Sequence, residues 1–224
     1  MEIFPNEKWV FFNDDFDKEL ISSETEKITF GENFNKPLGY FGSGGILPKK
    51  LITLELSGKF NQSLDFLPDG LKILHFMKNS EFNRMITKLP KELEILRFGD
   101  LFNNQIIYLP PKLKILEFGN NFNQPIDPNF FPKNIFTISF GNLFNQNIDN
   151  IPDSVENIKL GDEFNKNIIL PKNLKYIEFG KNFDKKFVLD ILPNTIKKIK
   201  LSYSFPYLDE IIDKYGDKIC VTKC

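Results

Sequence analysis

Short apolar–polar–apolar steps run through this chain, among them Leu54-Glu55-Leu56, Leu96-Arg97-Phe98 and Leu116-Glu117-Phe118. Such alternation is the period of a strand with one buried face, and each step is too short for an amphipathic helix. Residues 109 to 126 show the full frame: Leu109-Pro110, then Leu113, Leu116, Phe118, Gly119, Phe122, Asn123 and Ile126. Its inner part recurs as Leu51/Leu54/Leu56, Leu71/Leu74/Phe76, Leu93/Leu96/Phe98, Ile135/Ile138/Phe140, Val155/Ile158/Leu160, Leu174/Ile177/Phe179 and Ile196/Ile199/Leu201. Ile28/Phe30 is an earlier, shortened copy, and Val10/Phe12 before Phe16 reads as a worn first one.

After the strand pattern comes a Phe-Asn pair: Phe34-Asn35, Phe60-Asn61, Phe82-Asn83, Phe102-Asn103, Phe122-Asn123, Phe144-Asn145 and Phe164-Asn165, with Phe16-Asp17 and Phe183-Asp184 as outer members. Successive Phe positions from 34 to 183 differ by 26, 22, 20, 20, 22, 20 and 19 residues. A fixed period of this size is the signature of a solenoid. Strands that recur once per coil in one direction must lie side by side as a parallel sheet, each coil covering the apolar face its neighbour leaves open. The expected fold is therefore mainly β, a right-handed solenoid with a concave parallel sheet of nine or ten strands. Strand and turn leave too few residues per coil for a full helix on the return side.

Three side-chain roles follow from the frame. Glycines at 31, 58, 99, 119, 141, 161 and 180 stand in or beside the site after the strand, where positive φ would let the chain turn sharply. The Leu-Pro pair before the next strand stiffens the return, because proline fixes φ and biases the preceding residue toward extended conformations. Each Phe-Asn pair reads as a structural ladder, with the ring filling the coil and the amide facing the interior, bonded to backbone of its own and the adjacent turn. Two extra residues between Phe76 and Phe82, and a glycine-bearing segment over 36 to 47, are expected to bulge as loops.

Both ends of the repeat differ from its middle. Residues 1–24 read as an N-terminal cap or degenerate first coil, 25–203 as the solenoid and 204–224 as a C-terminal cap. Trp9, Val10, Phe11 and Phe12 would cover the first coil while Asp14, Asp15, Asp17 and Glu19 face water. At the other end Pro206, Asp209 and Glu210 open a helix that Gly216 closes. Leu208, Ile211, Ile212 and Tyr215 fall at helical spacing as its apolar face, and Ile219-Cys220-Val221 follows as a short strand.

Phe122-Asn123-Gln124-Pro125-Ile126 is close to the central motif of the FNIP repeat, and the units resemble that family from about residue 28 to 201, in eight copies. Leu113-x-x-Leu116-x-Phe118 also resembles the ordinary leucine-rich repeat, from which the chain departs by placing Phe-Asn where an Asn and then a Leu would stand. The resemblance implies a curved solenoid of the kind found in amoebae and in giant viruses that infect them, often behind an F-box that recruits ubiquitin-ligase machinery. The stretch before the first clear coil is too short for the several helices of an F-box, each about 10 residues or more.

Composition narrows the classes. Of 224 residues 41% are hydrophobic, the net charge is −1, and no apolar run is long enough to span a bilayer, which reads as an intracellular, cytoplasmic chain with no membrane partner. Neutral balance offers little attraction for phosphates, so nucleic acid is not an expected partner. Cys220 and Cys224 stand outside the coils and build no disulfide framework, and without nearby His they fall short of a zinc site. The single His, His75, sits at a polar strand position with no orienting partner legible in the sequence, so neither catalysis nor a cofactor or metal site is expected.

With the register fixed, the outward-facing strand positions can be written in two rows. The first is Thr53, Ile73, Ile95, Ile115, Thr137, Asn157, Tyr176 and Lys198; the second is Glu55, His75, Arg97, Glu117, Ser139, Lys159, Glu178 and Lys200. Ile73, Ile95 and Ile115, flanked by His75, Arg97 and Glu117, form an apolar strip with a polar rim, the make-up of a protein-binding patch. β-branched residues chosen for strand propensity would give the same pattern. The expectation is a non-enzymatic scaffold for a protein of unknown identity, with self-association through a coil end or the strip as a variant. The alternative is a substrate-recognition component of a ubiquitin ligase lacking its own F-box.

Overall fold

A computed structural model describes residues 8–12, 21–42, 44–186 and 192–222. It divides into two compact units, Met1–Leu113 and Lys114–Cys224. Phe16, Asp14, Asp15, Asp17 and Glu19, assigned above to the first coil and its cap, lie outside the described residues.

In the first unit β1 (Trp9–Phe12), β2 (Lys27–Phe30), β5 (Thr53–Leu56), β6 (Ile73–Phe76) and β7 (Ile95–Arg97) form a parallel sheet in that order. Between β2 and β5 the 36 to 47 segment projects as a small antiparallel hairpin, β3 (Gly39–Tyr40) with β4 (Gly44–Gly45). In the second unit β8 (Ile115–Glu117), β9 (Thr137–Ser139), β10 (Asn157–Lys159), β11 (Tyr176–Glu178), β12 (Lys198–Ser202) and β13 (Ile219–Thr222) pair in parallel in the same manner. Both units are thus mainly β solenoids of stacked coils. The strand after the helix raises the sheet strands to eleven, five in one unit and six in the other, against the nine or ten expected.

Register follows the sequence period without slippage. Leu54 opposes Leu74, and Leu74 opposes Leu96; in the second unit Ile138, Ile158, Ile177 and Ile199 are successive partners. All of these side chains are fully buried. The prolines close each return, because their carbonyls accept the N–H of the apolar residue three positions on, as in Leu71 to Pro68 at 3.1 Å and Val155 to Pro152 at 3.0 Å. These are β-turns that begin on the proline and deliver the next strand.

Aromatic rings fill the coils. In the first unit the centroids of Phe34, Phe60, Phe82 and Phe102 follow one another at 5.9, 6.2 and 5.9 Å. In the second, Phe122, Phe144, Phe164, Phe183 and Phe205 follow at 6.0, 6.2, 6.2 and 6.0 Å, with planes within 13° of parallel. Parallel planes at that separation are offset stacks, a favoured arrangement of aromatic quadrupoles. Within a coil the strand ring lies closer still, Phe118 to Phe122 at 3.7 Å and Phe140 to Phe144 at 3.8 Å. Phe205 is a rung the Phe-Asn motif does not reveal, since Pro206 follows it. Its signal is the offset from Leu201, the same four residues that separate Phe118 from Phe122.

Two expectations need correction. Among the described glycines only Gly42, Gly44 and Gly58 have positive φ, so a left-handed turn accounts for the recurrent glycine at Gly58 alone. Close approach recurs instead: a Cβ on Gly161 would lie 2.1 Å from the Gly141 carbonyl oxygen, and one on Gly180 2.3 Å from that of Gly161. At Gly58, Gly99, Gly141, Gly161 and Gly180 the backbone of the preceding coil passes so close that there is no room for a side chain.

The asparagines, secondly, do not face the interior. Asn35, Asn83 and Asn103 are exposed and Asn61, Asn123, Asn145 and Asn165 half-buried. Each reaches along the surface to the following coil: Asn35 Oδ1 accepts the Asn61 N–H at 3.0 Å, Asn61 that of Asn83 at 3.1 Å and Asn83 that of Asn103 at 2.9 Å. In the second unit Asn123, Asn145 and Asn165 do the same for Asn145, Asn165 and Asp184 at 2.9, 3.1 and 3.3 Å. The bond to adjacent backbone is the one anticipated; its solvent exposure is not.

At the ends the first copy is a strand of the sheet and the expected C-terminal helix is present. Residues Trp9–Phe12 are a strand of the sheet, with Phe12 inside and Trp9 and Phe11 exposed at 74% and 62%. At the other end α1 (Leu208–Tyr215) carries Asp209 and Glu210 in its first turn and buries Ile211, whereas Ile212 is exposed. The two extra residues after Phe76 do bulge, with Lys78 and Asn79 exposed, but Ser80 turns inward and its hydroxyl accepts the Phe82 N–H at 3.3 Å.

Two substitutions test this packing. Phe122→Ala removes a ring in contact with its coil and its neighbours and is expected to lower the unfolding free energy by about 3–5 kcal/mol. Gly161→Ala forces two backbones apart and should cost about 1–3 kcal/mol, although alanine is a better residue than glycine elsewhere. Urea denaturation followed by circular dichroism reads both; an unchanged midpoint in either would contradict the stacked-coil account.

Candidate functional site

The outward face of each sheet carries the side chains that alternate with the buried ones. On the first unit Thr53, Ile73 and Ile95 are consecutive Cα partners, and Glu55, His75 and Arg97 form the parallel row beside them. Ile73, His75, Ile95 and Arg97 are therefore brought together, two isoleucines abreast and two basic side chains abreast, all half-buried. Ile115 and Glu117 occupy the corresponding positions on β8 in the second unit, where they oppose Thr137 and Ser139. All the rows' residues stand on the predicted face, and most are half-buried because each shields its neighbours on the adjacent strand.

Charge on these faces is organised around two glutamates that the sequence does not single out. In the first unit Glu55 accepts from Lys27 Nζ at 2.9 Å and from Thr29 Oγ1 at 2.8 Å. Burial pushes its carboxyl up, but those two bonds and the charges of Lys27 and His75 outweigh it and hold the group below its usual range. His75 thus has an electrostatic partner, Glu55, on the neighbouring strand.

In the second unit Glu178 receives the Tyr176 hydroxyl at 2.7 Å and Lys200 Nζ at 2.8 Å, with Lys159 Nζ at 3.8 Å on the other side. Desolvation again opposes ionisation, and the bonds from Lys200 and Tyr176 with the charges of both lysines prevail, so Glu178 is held low. Desolvation and the bond to Glu178 together push Tyr176 well above the ordinary phenol range. Asn157 Nδ2 donates to Thr137 Oγ1 at 3.2 Å as a separate pair on the same face. The signal for Glu178 was present in the sequence as Lys159, Glu178 and Lys200 at one offset in successive copies, a pattern that puts opposite charges on adjacent strands.

Among the described residues no group of three or more His, Cys, Asp or Glu is placed to hold a metal ion, and Cys220 is a half-buried free thiol. No helix among them is long and apolar enough to cross a membrane. The arrangement can offer shape, apolar contact and fixed charge.

Comparison with known proteins agrees with the fold. The FNIP Repeat model matches residues 12–59, 42–79, 60–101, 102–143, 144–170 and 164–204, and the chain belongs to that family. A solved structure described as CroV588, a novel circular LRR protein, is similar at 27% identity with a TM-score of 0.55, over 88% of this chain and 40% of its own. This chain thus spans well under half the length of that giant-virus protein. A leucine-rich repeat protein from Bacteroides ovatus ATCC 8483 aligns at 17% identity with a TM-score of 0.20, over 90% of this chain and 78% of its own. No curated protein matches. The chain is an LRR-like repeat scaffold.

The Glu178 network has a pH signature. Its folded pKa lies below the unfolded value, so its contribution is present above about pH 4.3 and is lost as pH falls through the lower, folded pKa. Relative to the parent, Glu178→Gln is expected to melt at lower temperature at pH 7 and to lose less stability between about pH 5 and pH 3. Thermal melts across that range would count against the network if the two proteins kept a constant difference.

Proposed function

We propose that this chain binds another protein through the outward face of its sheet, with Ile73, Ile95, His75 and Arg97 as contact residues on the first unit and Ile115 and Glu117 on the second. The observation that carries the reading is the pairing of Ile73 with Ile95 beside His75 and Arg97. Branched apolar side chains in register on a water-facing sheet offer a rigid surface whose burial is favourable, and a basic pair at its edge supplies orientation. Membership of a repeat family supports it, because stacked coils present extended faces for partners and leave chemistry to other proteins.

A second reading is that chains associate end to end. The observation favouring it is the similar solved structure, which is described as a circular LRR protein.

The sheet-face reading is tested with Ile95→Asp combined with Ile115→Lys. Charges at the centre of an interface cost about 2 kcal/mol or more per lost contact, so partners captured by the tagged parent from native cells should be absent from the variant while its melting temperature is retained. A folded variant that still captures every partner would remove the face from consideration.

A further inference from the structure

We infer that two copies of this chain join through their sheet edges, β13 of one beside β1 of the next, as a parallel pair. This rests on the end-to-end reading above and gives it an atomic interface.

β1 is bonded on one side. The carbonyls of Lys8 and Phe12 accept from Lys27 at 2.9 Å and from Gly31 at 2.7 Å, so alternate residues Lys8, Val10 and Phe12 turn their backbone toward β2. Trp9 and Phe11 therefore turn theirs the other way, where no strand among the described residues pairs with them. β13 is the mirror case: it pairs with β12, and no described strand pairs with its far side. Neither Trp9–Phe12 nor Ile219–Thr222 contains Pro, Lys, Arg, Asp or Glu, the residues that keep open edges from finding each other. Trp9 and Phe11 are exposed apolar side chains on such an edge.

The two edges fit in direction and register. Each strand runs parallel to its one neighbour, so placing β13 before β1 continues the pattern that every coil already uses. Ile219 is in register with Ile199, and Val10 with Ile28, all on the inward-facing series, so Ile219 would stand level with Val10 and Cys220 with Phe11. Within the chain the N–H of an outward residue donates to the preceding strand, as Lys27 does to Lys8 and Thr53 to Glu26 at 2.9 Å. Carried across the join, the Phe11 N–H meets the Ile219 carbonyl and the Phe11 carbonyl meets the Val221 N–H, while the Ile219 N–H is held within its own chain by the Gly216 carbonyl. A second copy is the occupant that brings a parallel, uncharged strand with this alternation and a free edge of the right side.

Phe11→Pro deletes the donor that would meet the Ile219 carbonyl and leaves the bonds of β1 to β2, since proline is tolerated on an edge strand with its nitrogen toward solvent. Phe11→Ala keeps the donor and controls for the side chain. Light scattering over a concentration series should show the parent and Phe11→Ala assembling, and Phe11→Pro dissociating at roughly tenfold or higher concentration, as loss of one interface hydrogen bond implies. Circular dichroism should be the same for all three. In addition, Phe11→Cys with Cys224→Ser should form a cross-link to Cys220 of a second copy on mild oxidation. A parent that associates while Phe11→Pro associates equally and no Cys220 cross-link forms would overturn the strand join and leave end-to-end association standing. A parent that stays monomeric at millimolar concentration would overturn both.

Discussion

Everything else in this fold depends on one constraint: a coil has no core of its own and acquires one only when its aromatic ring lies against that of the next. The ladder rings stand about 6 Å apart between coils, and the strand ring closes to less than 4 Å within several of them. Burial of a phenylalanine contributes roughly 1.5–3 kcal/mol, whereas ordering costs about 1–2 kcal/mol per residue of backbone, so the two rings of a coil of about 20 residues offset a small part of that cost, and only with the neighbours in place. The sheet, the proline turns and the glycine seam are the means by which rings from successive coils arrive face to face.

Much of this was legible because a repeat states its register many times over. The strand step, the buried Leu and Ile series and the two outward rows could be written from the alternation of apolar and polar residues, since slippage by one position would expose all of them at once. The family resemblance rested on the same Phe-Asn-x-x-Ile phrase that the family model matches. Less legible was anything set by distance between coils. The glycines at 141, 161 and 180 looked like turn residues, because glycine's freedom in φ is a property of one residue whereas the close backbone it faces belongs to another coil. The asparagines looked buried because they follow a buried ring, yet the residue after each ladder Phe stands at the surface or half-buried.

The outward face shows the limit in another form. Its membership was readable, because strand geometry fixes which side chain points where. Its electrostatics were not, because Glu55 and Glu178 gain their significance from lysines and hydroxyls one coil away. The two units use the face differently. The first brings apolar and basic side chains near one another, and the second pairs polar groups, Tyr176 and Lys200 with Glu178 and Asn157 with Thr137.

The surface amide chain has a direction. In each pair the acceptor oxygen lies in the earlier coil and the donating N–H in the later one, from Asn35 and Asn61 through Asn165 and Asp184. During synthesis the amino-terminal coil leaves the ribosome first, so each newly emerged segment meets a receptor already in position and never has to wait for sequence not yet translated. The molecule can thus be laid down like courses of brick, with the template for every addition supplied by the one before.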